Sequence, residues 1–299
     1  MIKLIGVSKS FSSLVALEDI SCEIPQGSIL GIIGSNGSGK STLLRLISGI
    51  YRPDKGEIMM NGQDIYENVE VKSHFFYISD DQFQFNGATM RDMAKFYEQV
   101  YATFDREFFE SLAKQFNLDI RRKLNTFSKG MQRQAHIILA LATRPSYLLC
   151  DETFDGLDPV VRQGVKAILA EMVERDKMTV IIASHNLREL EDLCDHISLL
   201  HQSKLVMNKS LEDIQSNVFK VQCAFSHEMS DESLESLKPI YTERFGRMLF
   251  LTLRGDKAEV IEKVEALAPL YYELVPLSLE EVFIVEMEVL GYDVKSFSL

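Results

Sequence analysis

The chain has 299 residues, 46% hydrophobic and 25% charged, with a formal net charge of −12. That is an ordinary globular mix with room for two domains. No stretch approaches the roughly 20 continuous apolar residues of a membrane span, the Met-Ile-Lys-Leu-Ile-Gly start does not read as a secretory signal, and the acidic balance argues against a nucleic-acid partner, whose phosphates demand a basic stripe.

Residues 1–7 and 17–24 alternate apolar and polar side chains, the mark of half-buried strands. Pro25-Gln26-Gly27 reads as a turn, and residues 28–33 as a short apolar strand buried on both faces. A glycine-rich loop, residues 34–39, follows. Leu43, Leu44, Leu46 and Ile47 then sit at helical spacing up to Gly49, a C-terminal stop. The region from about 88 to 142 is helical by periodicity, with Met93, Ala94, Tyr97, Val100, Tyr101 and Phe104 and then Phe108, Phe109, Leu112, Ala113 and Phe116 recurring every three or four residues. Strands at 147–150 and 179–184 alternate with helices at 159–174 and 187–193, which predicts a mainly parallel sheet covered by helices. Residues 197–200 and 204–207, separated by Gln202-Ser203, read as a closing hairpin. After about Gln215, strands at 218–225 and 248–253 and helices at 258–268 and 279–289 predict a small α+β domain. Cys22, Cys150, Cys194 and Cys223 lie scattered without Cys-x-x-Cys spacing and are expected as free thiols in a reducing cytosol.

Gly34-Ser35-Asn36-Gly37-Ser38-Gly39-Lys40-Ser41 fits G-x-x-x-x-G-K-[ST]. Glycines let successive backbone N–H groups turn inward toward a triphosphate, and the following helix points its positive end there. Lys40 reaches the β/γ oxygens and Ser41 offers a hydroxyl to Mg²⁺. The motif is shared by kinases, GTPases, motors and transporters, so it predicts nucleotide binding without choosing among them. The apolar run 146–150 ends in Asp151 and Glu152. At the carboxyl end of a parallel strand these acids face the phosphate loop, where Asp151 suits Mg²⁺ and Glu152 suits a general base or a positioner of the attacking water. The strand ending at Ser184 delivers His185 to the same edge, where an imidazole can donate to a phosphate oxygen. Phe127-Ser128-Lys129-Gly130-Met131 opens a helix with Ser128 as N-cap, an arrangement that also makes an anion site.

In this order the pieces resemble the ATP-binding-cassette family over residues 1 to about 210, similar to its bacterial drug- and peptide-exporting branch. The resemblance implies a P-loop cassette with a mainly parallel core sheet, N-terminal antiparallel strands and a helical subdomain at about 88–145; with the change of character after about Gln215, domains are expected at 1–214 and 215–299. It implies that Phe11 stacks on adenine, that Gly34 through Thr42 (Ser35, Asn36, Gly37, Ser38, Gly39, Lys40 and Ser41 between them) hold ATP, and that residues 127–131 stand in for Leu-Ser-Gly-Gly-Gln. Glu152, His185 and Lys40 are the expected catalytic set, and Ser41, Asp151 and Asp80 the expected Mg²⁺ set. Gly156-Leu157-Asp158-Pro159 matches the loop that contacts a second cassette. Two such subunits, identical or homologous, sandwich two ATP molecules, each site receiving Ser128 and Gly130 from the partner. Hydrolysis then drives transport through separate polytopic membrane subunits, export rather than import, from a cytoplasmic, membrane-peripheral position.

The sequence departs from the family pattern at Lys129 and Met131, and at Thr153, where proline is usual. A glutamine expected to contact Mg²⁺ and the membrane partner aligns with Asp80, while Gln82 lies two residues on; both remain candidates. Most aromatics between 75 and 109 are expected to fill the helical subdomain's core, with Phe83 and Phe85 the candidates for a groove receiving a helix of the membrane subunit. For the tail, a regulatory or dimer-stabilising role is expected. The alternative is a soluble cassette ATPase of translation or DNA maintenance, against which stand the single phosphate loop and the absence of sustained heptads. A small-molecule kinase would need neither the Ser128 motif nor His185.

Overall fold

The computed structural model describes residues 1–190, 193–215, 217–227, 229–275 and 277–289. The chain forms two compact units, Met1–Asn208 and Lys209–Leu299. The first contains β1 (Ile2–Phe11), β2 (Leu14–Ile24), β3 (Ile29–Ile33), α1 (Lys40–Ile47), β4 (Lys55–Met60), β5 (Gln63–Asp64), α2 (Val69–Lys72) and β6 (Phe75–Ile78). It continues with α3 (Met90–Val100), α4 (Arg106–Gln115), α5 (Lys129–Ala142), β7 (Tyr147–Asp151), α6 (Pro159–Asp176), β8 (Thr179–Ser184), α7 (Leu187–Leu190) and β9 (His196–His201), and the division falls within β10 (Lys204–Ser210).

Two sheets build this unit. An antiparallel sheet runs β2-β1-β4-β5, and a six-stranded sheet runs β10-β9-β3-β8-β7-β6. In the second, β3 pairs in parallel with β8 and β9, and β7 with β6 and β8. Parallel strands with helical crossovers are covered on both faces, and β3, β7 and β8 are buried at every position. One core joins Ile2, Leu4, Leu17 and Ile20 of the antiparallel sheet to Leu43, Leu44 and Leu46 of α1 and to Leu30, Tyr147, Leu149 and Ile181 of the parallel sheet.

The helix starts are local chemistry. A reciprocal Thr89–Asp92 capping box opens α3, Ser128 caps α5, and Asp158 caps α6 with Pro159 in its first turn. In contrast, α1 starts after Gly39 at φ 109° with no side-chain cap, which leaves the amides of its first turn to an outside acceptor. In α5 every residue from Gln134 to Ala142 is buried, and the helix packs on α3, α4 and β6.

The second unit contains α8 (Leu211–Gln215), β11 (Val218–Ala224), α9 (Asp231–Leu234), β12 (Tyr241–Phe245), β13 (Met248–Arg254), α10 (Lys257–Glu265), β14 (Tyr271–Val275) and α11 (Leu279–Val289). Its sheet runs β12-β13-β11-β14, antiparallel throughout. Val221, Cys223, Leu249, Leu251 and Leu253 on the central strands pack with Val260 and Val264 of α10.

The helical middle, the strand–helix alternation and the closing hairpin stand where the sequence places them, and the helix over 187–193 is seen as Leu187–Leu190, with residues 191 and 192 outside the described residues. Sequence patterning misses β4, β5 and β6 and, in the tail, β12 and β14. The last two are the edges of their sheet and carry half-exposed, polar-interrupted sequences such as Tyr-Thr-Glu-Arg-Phe. An edge strand has less apolar alternation to read.

Candidate active site

The register of the parallel sheet decides where the motif residues emerge. Ile33 lies opposite Ser184, and Asp151 opposite Ala183. The chain therefore leaves β3 into the glycine loop, β7 into Glu152 and β8 into His185 at the same carboxyl edge, where ligands bind in open α/β sheets.

The loop is shaped by its glycines. A Cβ on Gly34 would sit 2.4 Å from the Leu200 carbonyl and 2.5 Å from Ser38 Oγ, so only hydrogen fits. Gly37 turns at φ 81°, and a Cβ there would meet open space. Ser35, Asn36 and Gly37 are exposed, whereas Ser38 is buried and its hydroxyl has no partner among the described residues. A buried hydroxyl left unpaired beside uncapped helix amides is a donor awaiting an acceptor.

Lys40 is 6% exposed. Its Nζ donates to the carbonyls of Gly34 at 2.8 Å and Ser35 at 3.3 Å and lies 3.7 Å from Glu152 Oε1. Ser41 Oγ donates to Asp151 Oδ1 at 2.9 Å, and the other carboxylate oxygen, Oδ2, accepts from the Tyr77 hydroxyl at 2.8 Å. Burial, and then the Asp151 charge, raise the Tyr77 pKa, which keeps it a phenol donor. A hydroxyl and a buried carboxylate side by side are hard oxygen donors of the kind Mg²⁺ takes.

Glu152 follows β7 at φ 48°, in the left-handed region that costs a non-glycine residue energy. Its N–H donates to the Ala183 carbonyl at 3.0 Å. Its Oε2 lies 2.9 Å from His185 Nδ1 and 3.4 Å from the His185 N–H. A carboxylate facing Nδ1 favours the proton on that nitrogen.

Phe11 and Thr42 line, with the loop and Glu152, a cleft of about 390 Å³, within the size range of small-molecule sites. Phe11 is 39% exposed and meets Tyr51 edge-on at 5.3 Å. Ser128 and Gly130 are not drawn into the cleft in this chain. The Ser128 hydroxyl is exposed and caps its own helix by accepting from Met131 N–H at 3.2 Å, and a Cβ on Gly130 would stand 3.2 Å from the Gly156 carbonyl. The proximity of Gly130 and Gly156 puts the two expected partner-facing segments side by side.

Asp80, expected in the metal set, is ion-paired with Arg133 at 3.0 Å and is 64% exposed in its side chain. Gln82 is half-buried in the same irregular segment. Two residues the sequence reading leaves without a role are therefore part of the site's frame. One is Tyr77, readable only as the one half-exposed position of an aromatic strand. The other is Arg133, which stands in the Gln132-Arg133-Gln134 tract with no pattern to mark it.

The family profile described as ABC transporter matches residues 17–155. The ATP-binding protein YtrB of Bacillus subtilis is 29% identical over 286 residues, 95% of this chain and 97% of that protein. The methionine import ATP-binding protein MetN of Mannheimia succiniciproducens is 30% identical over 238 residues, 73% of this chain and 67% of that protein. A solved structure described as the ATP-binding subunit of an ABC transporter superposes with a TM-score of 0.66 at 25% identity, covering 72% of this chain and 92% of that one. The chain belongs to the ABC transporter family, as an ATP-binding, ATP-hydrolysing subunit.

Proposed function

We propose that this chain hydrolyses magnesium ATP in sites shared between two cassettes and so drives transport, in the export direction, through a separate polytopic membrane subunit. The observation that carries the reading is the convergence at one sheet edge of Lys40, the Ser41–Asp151 pair and the Glu152–His185 pair.

The phosphates of ATP lie on the loop amides and the uncapped start of α1, with Lys40 released from its own loop carbonyls to the β/γ oxygens. Phe11 supports the adenine. Ser41 and Asp151 would hold the metal, with Asp80 or Gln82 the remaining candidates for its outer contacts; Mg²⁺ bound there would neutralise charge on the transferring phosphoryl group. Glu152 accepts the proton of a water whose oxygen bonds to the γ-phosphorus as the bond to the β–γ bridging oxygen breaks, giving ADP and phosphate. His185 holds the Glu152 carboxylate and turns toward the γ-phosphate. Ser128 and Gly130 of one cassette close the site of the other.

Several features support the membrane partner and the peripheral cytoplasmic location. No helix among the described residues is long and apolar enough to cross a membrane. Phe83 and Phe85 are 59% and 45% exposed and stack edge-on at 5.1 Å, with Phe96 beside them, an apolar patch fit to receive a helix. On direction, YtrB's name states none and MetN relatives named for import match 91% and 73% of this chain, so the export reading rests on the exporter-like Ser128-Lys129-Gly130-Met131 motif. The region from 215 onward serves as an accessory that regulates or stabilises the dimer; its removal is expected to lower dimerisation or transport, and unchanged values of both would end that idea.

Two substitutions test the chemistry. Lys40→Ala is expected to weaken ATP binding by about 100-fold, since it removes a buried cation from the triphosphate. Glu152→Gln is expected to bind ATP normally but to accumulate an ATP-bound dimer by size-exclusion chromatography. Normal turnover in the Glu152→Gln protein would remove Glu152 from the role of base. With the membrane subunit in proteoliposomes whose cassettes face outward, substrate added on the cassette side should raise ATP turnover; a response only to substrate inside would reverse the direction.

A further inference from the structure

The backbone at Glu152 is strained, and one side chain reaches it from another element. Arg133, in the second turn of α5, sends Nη1 to the Glu152 carbonyl at 2.6 Å and to the Asp155 carbonyl, while Nη2 pairs with Asp80. The two carbonyls lie on either side of the turn that follows β7. The guanidinium therefore closes that turn from outside, as the Glu152 N–H bond to Ala183 closes it from the sheet. A planar guanidinium can bridge two carbonyls and a carboxylate at fixed angles, which an ammonium cannot. Its side chain is 19% exposed and its bond to the Glu152 carbonyl is partly buried, while the Asp80 carboxylate stands 64% exposed.

We propose that Arg133 is a positioning residue for hydrolysis: by tying the carbonyls of Glu152 and Asp155 to the helix that begins at Ser128, it holds the φ 48° conformation that aims the Glu152 carboxylate at His185 and the attacking water. This rests on Glu152 being the base. The same guanidinium joins three segments: the Asp80 stretch after β6, the helix behind Ser128, and the turn leading to Gly156. A displacement of either flanking segment is passed to the base through one side chain. Arg133 bonds two carbonyls and the Asp80 carboxylate rather than the phosphate loop, so the loop is expected to bind ATP without it.

The distinguishing property is a separation of binding from turnover. In the full-length protein, Arg133→Ala is expected to lower kcat by about 10- to 100-fold, the scale of a misplacement of about 1 Å at a reacting group, with KM and the ATP dissociation constant within about twofold and an unchanged melting temperature. Arg133→Lys, which can reach one carbonyl but not bridge two, is expected to recover part of that loss. In the Glu152→Gln background, adding Arg133→Ala should change the residual rate by less than about twofold, because the two residues act through one group. A parallel fall in ATP affinity and kcat, or a full additional loss in the double variant, would overturn the assignment. Loss of hydrolysis in Glu152→Gln alone tests the base itself, so failure of that premise is read separately.

Discussion

At the residue scale the site is a set of close contacts in which single atoms matter. Gly34 is the sharpest case. An added methyl would meet the Leu200 carbonyl at 2.4 Å and Ser38 Oγ at 2.5 Å, and the backbone carbonyl cannot yield cheaply. Gly34→Ala is expected to destabilise the protein by about 2 kcal/mol or more and to abolish ATP binding, read by thermal melts with and without nucleotide. Tyr77 offers a subtler test. Its hydroxyl satisfies one oxygen of a carboxylate that is 1% exposed, so Tyr77→Phe leaves Asp151 free to turn away from Ser41. Loss of such a supporting bond to a metal ligand costs about 10- to 100-fold in metal affinity. The expected outcome is a raised Mg²⁺ requirement for turnover and weaker Mn²⁺ binding by spin resonance, with metal-free nucleotide binding unchanged. The thiols contribute nothing to this chemistry. Burial pushes Cys150 and Cys194 up to about 12, far from the thiolate form.

At the element scale, α5 carries the load between the site and the helical subdomain. Its nine-residue buried stretch contains His136, 6% exposed, whose pKa is lowered by burial to about 4. The unfolded chain takes up a proton below about pH 6.5 that the folded chain refuses until about pH 4. Stability is therefore complete above pH 6.5 and declines as pH falls toward 4, by roughly 3 kcal/mol over that window. Denaturant melts across the range should show this slope, and His136→Leu should flatten it. The accessory unit carries a carboxylate whose contribution is likewise lost in acid. Burial tends to raise the Glu281 pKa, but Lys220 and the Ser278 donors outweigh it and hold the carboxyl below its usual range. That contribution is present above about pH 4.5 and is lost at lower pH. Glu281→Gln should remove the Glu281 share of the acid sensitivity and cost about 1–3 kcal/mol at neutral pH.

At the scale of the whole molecule, the chain holds the phosphate loop and metal pair of one site while Ser128 and Gly130 stand elsewhere on its own surface. Function in the proposed form then belongs to a pair. A Lys40→Ala chain and a Ser128→Arg chain are each expected to be inactive alone. Mixed in equal amounts they should regain about a quarter of the parent turnover, since half the dimers are mixed and each of those carries one intact site of two. Absence of recovery, with mixed dimers shown by cross-linking, would place both sets of residues in one chain.

The glycine loop, the acids ending an apolar run and the strand–helix alternation were readable because each is local. Their spacing encodes a strand, a turn and a helix start, and β8 and α11 were bounded to the residue. Lys40, Ser41, Asp151, Glu152 and His185 could be named from the sequence for the same reason. What no pattern carries is which neighbour a side chain finds across a sheet or from a packed helix. Only the fold set Tyr77 on Asp151, paired Asp80 with Arg133, and brought that arginine from α5 to the carbonyl of Glu152. These partners are 74, 53 and 19 residues apart in sequence, and hydrogen bonds over such separations are decided by register and packing rather than by any local periodicity.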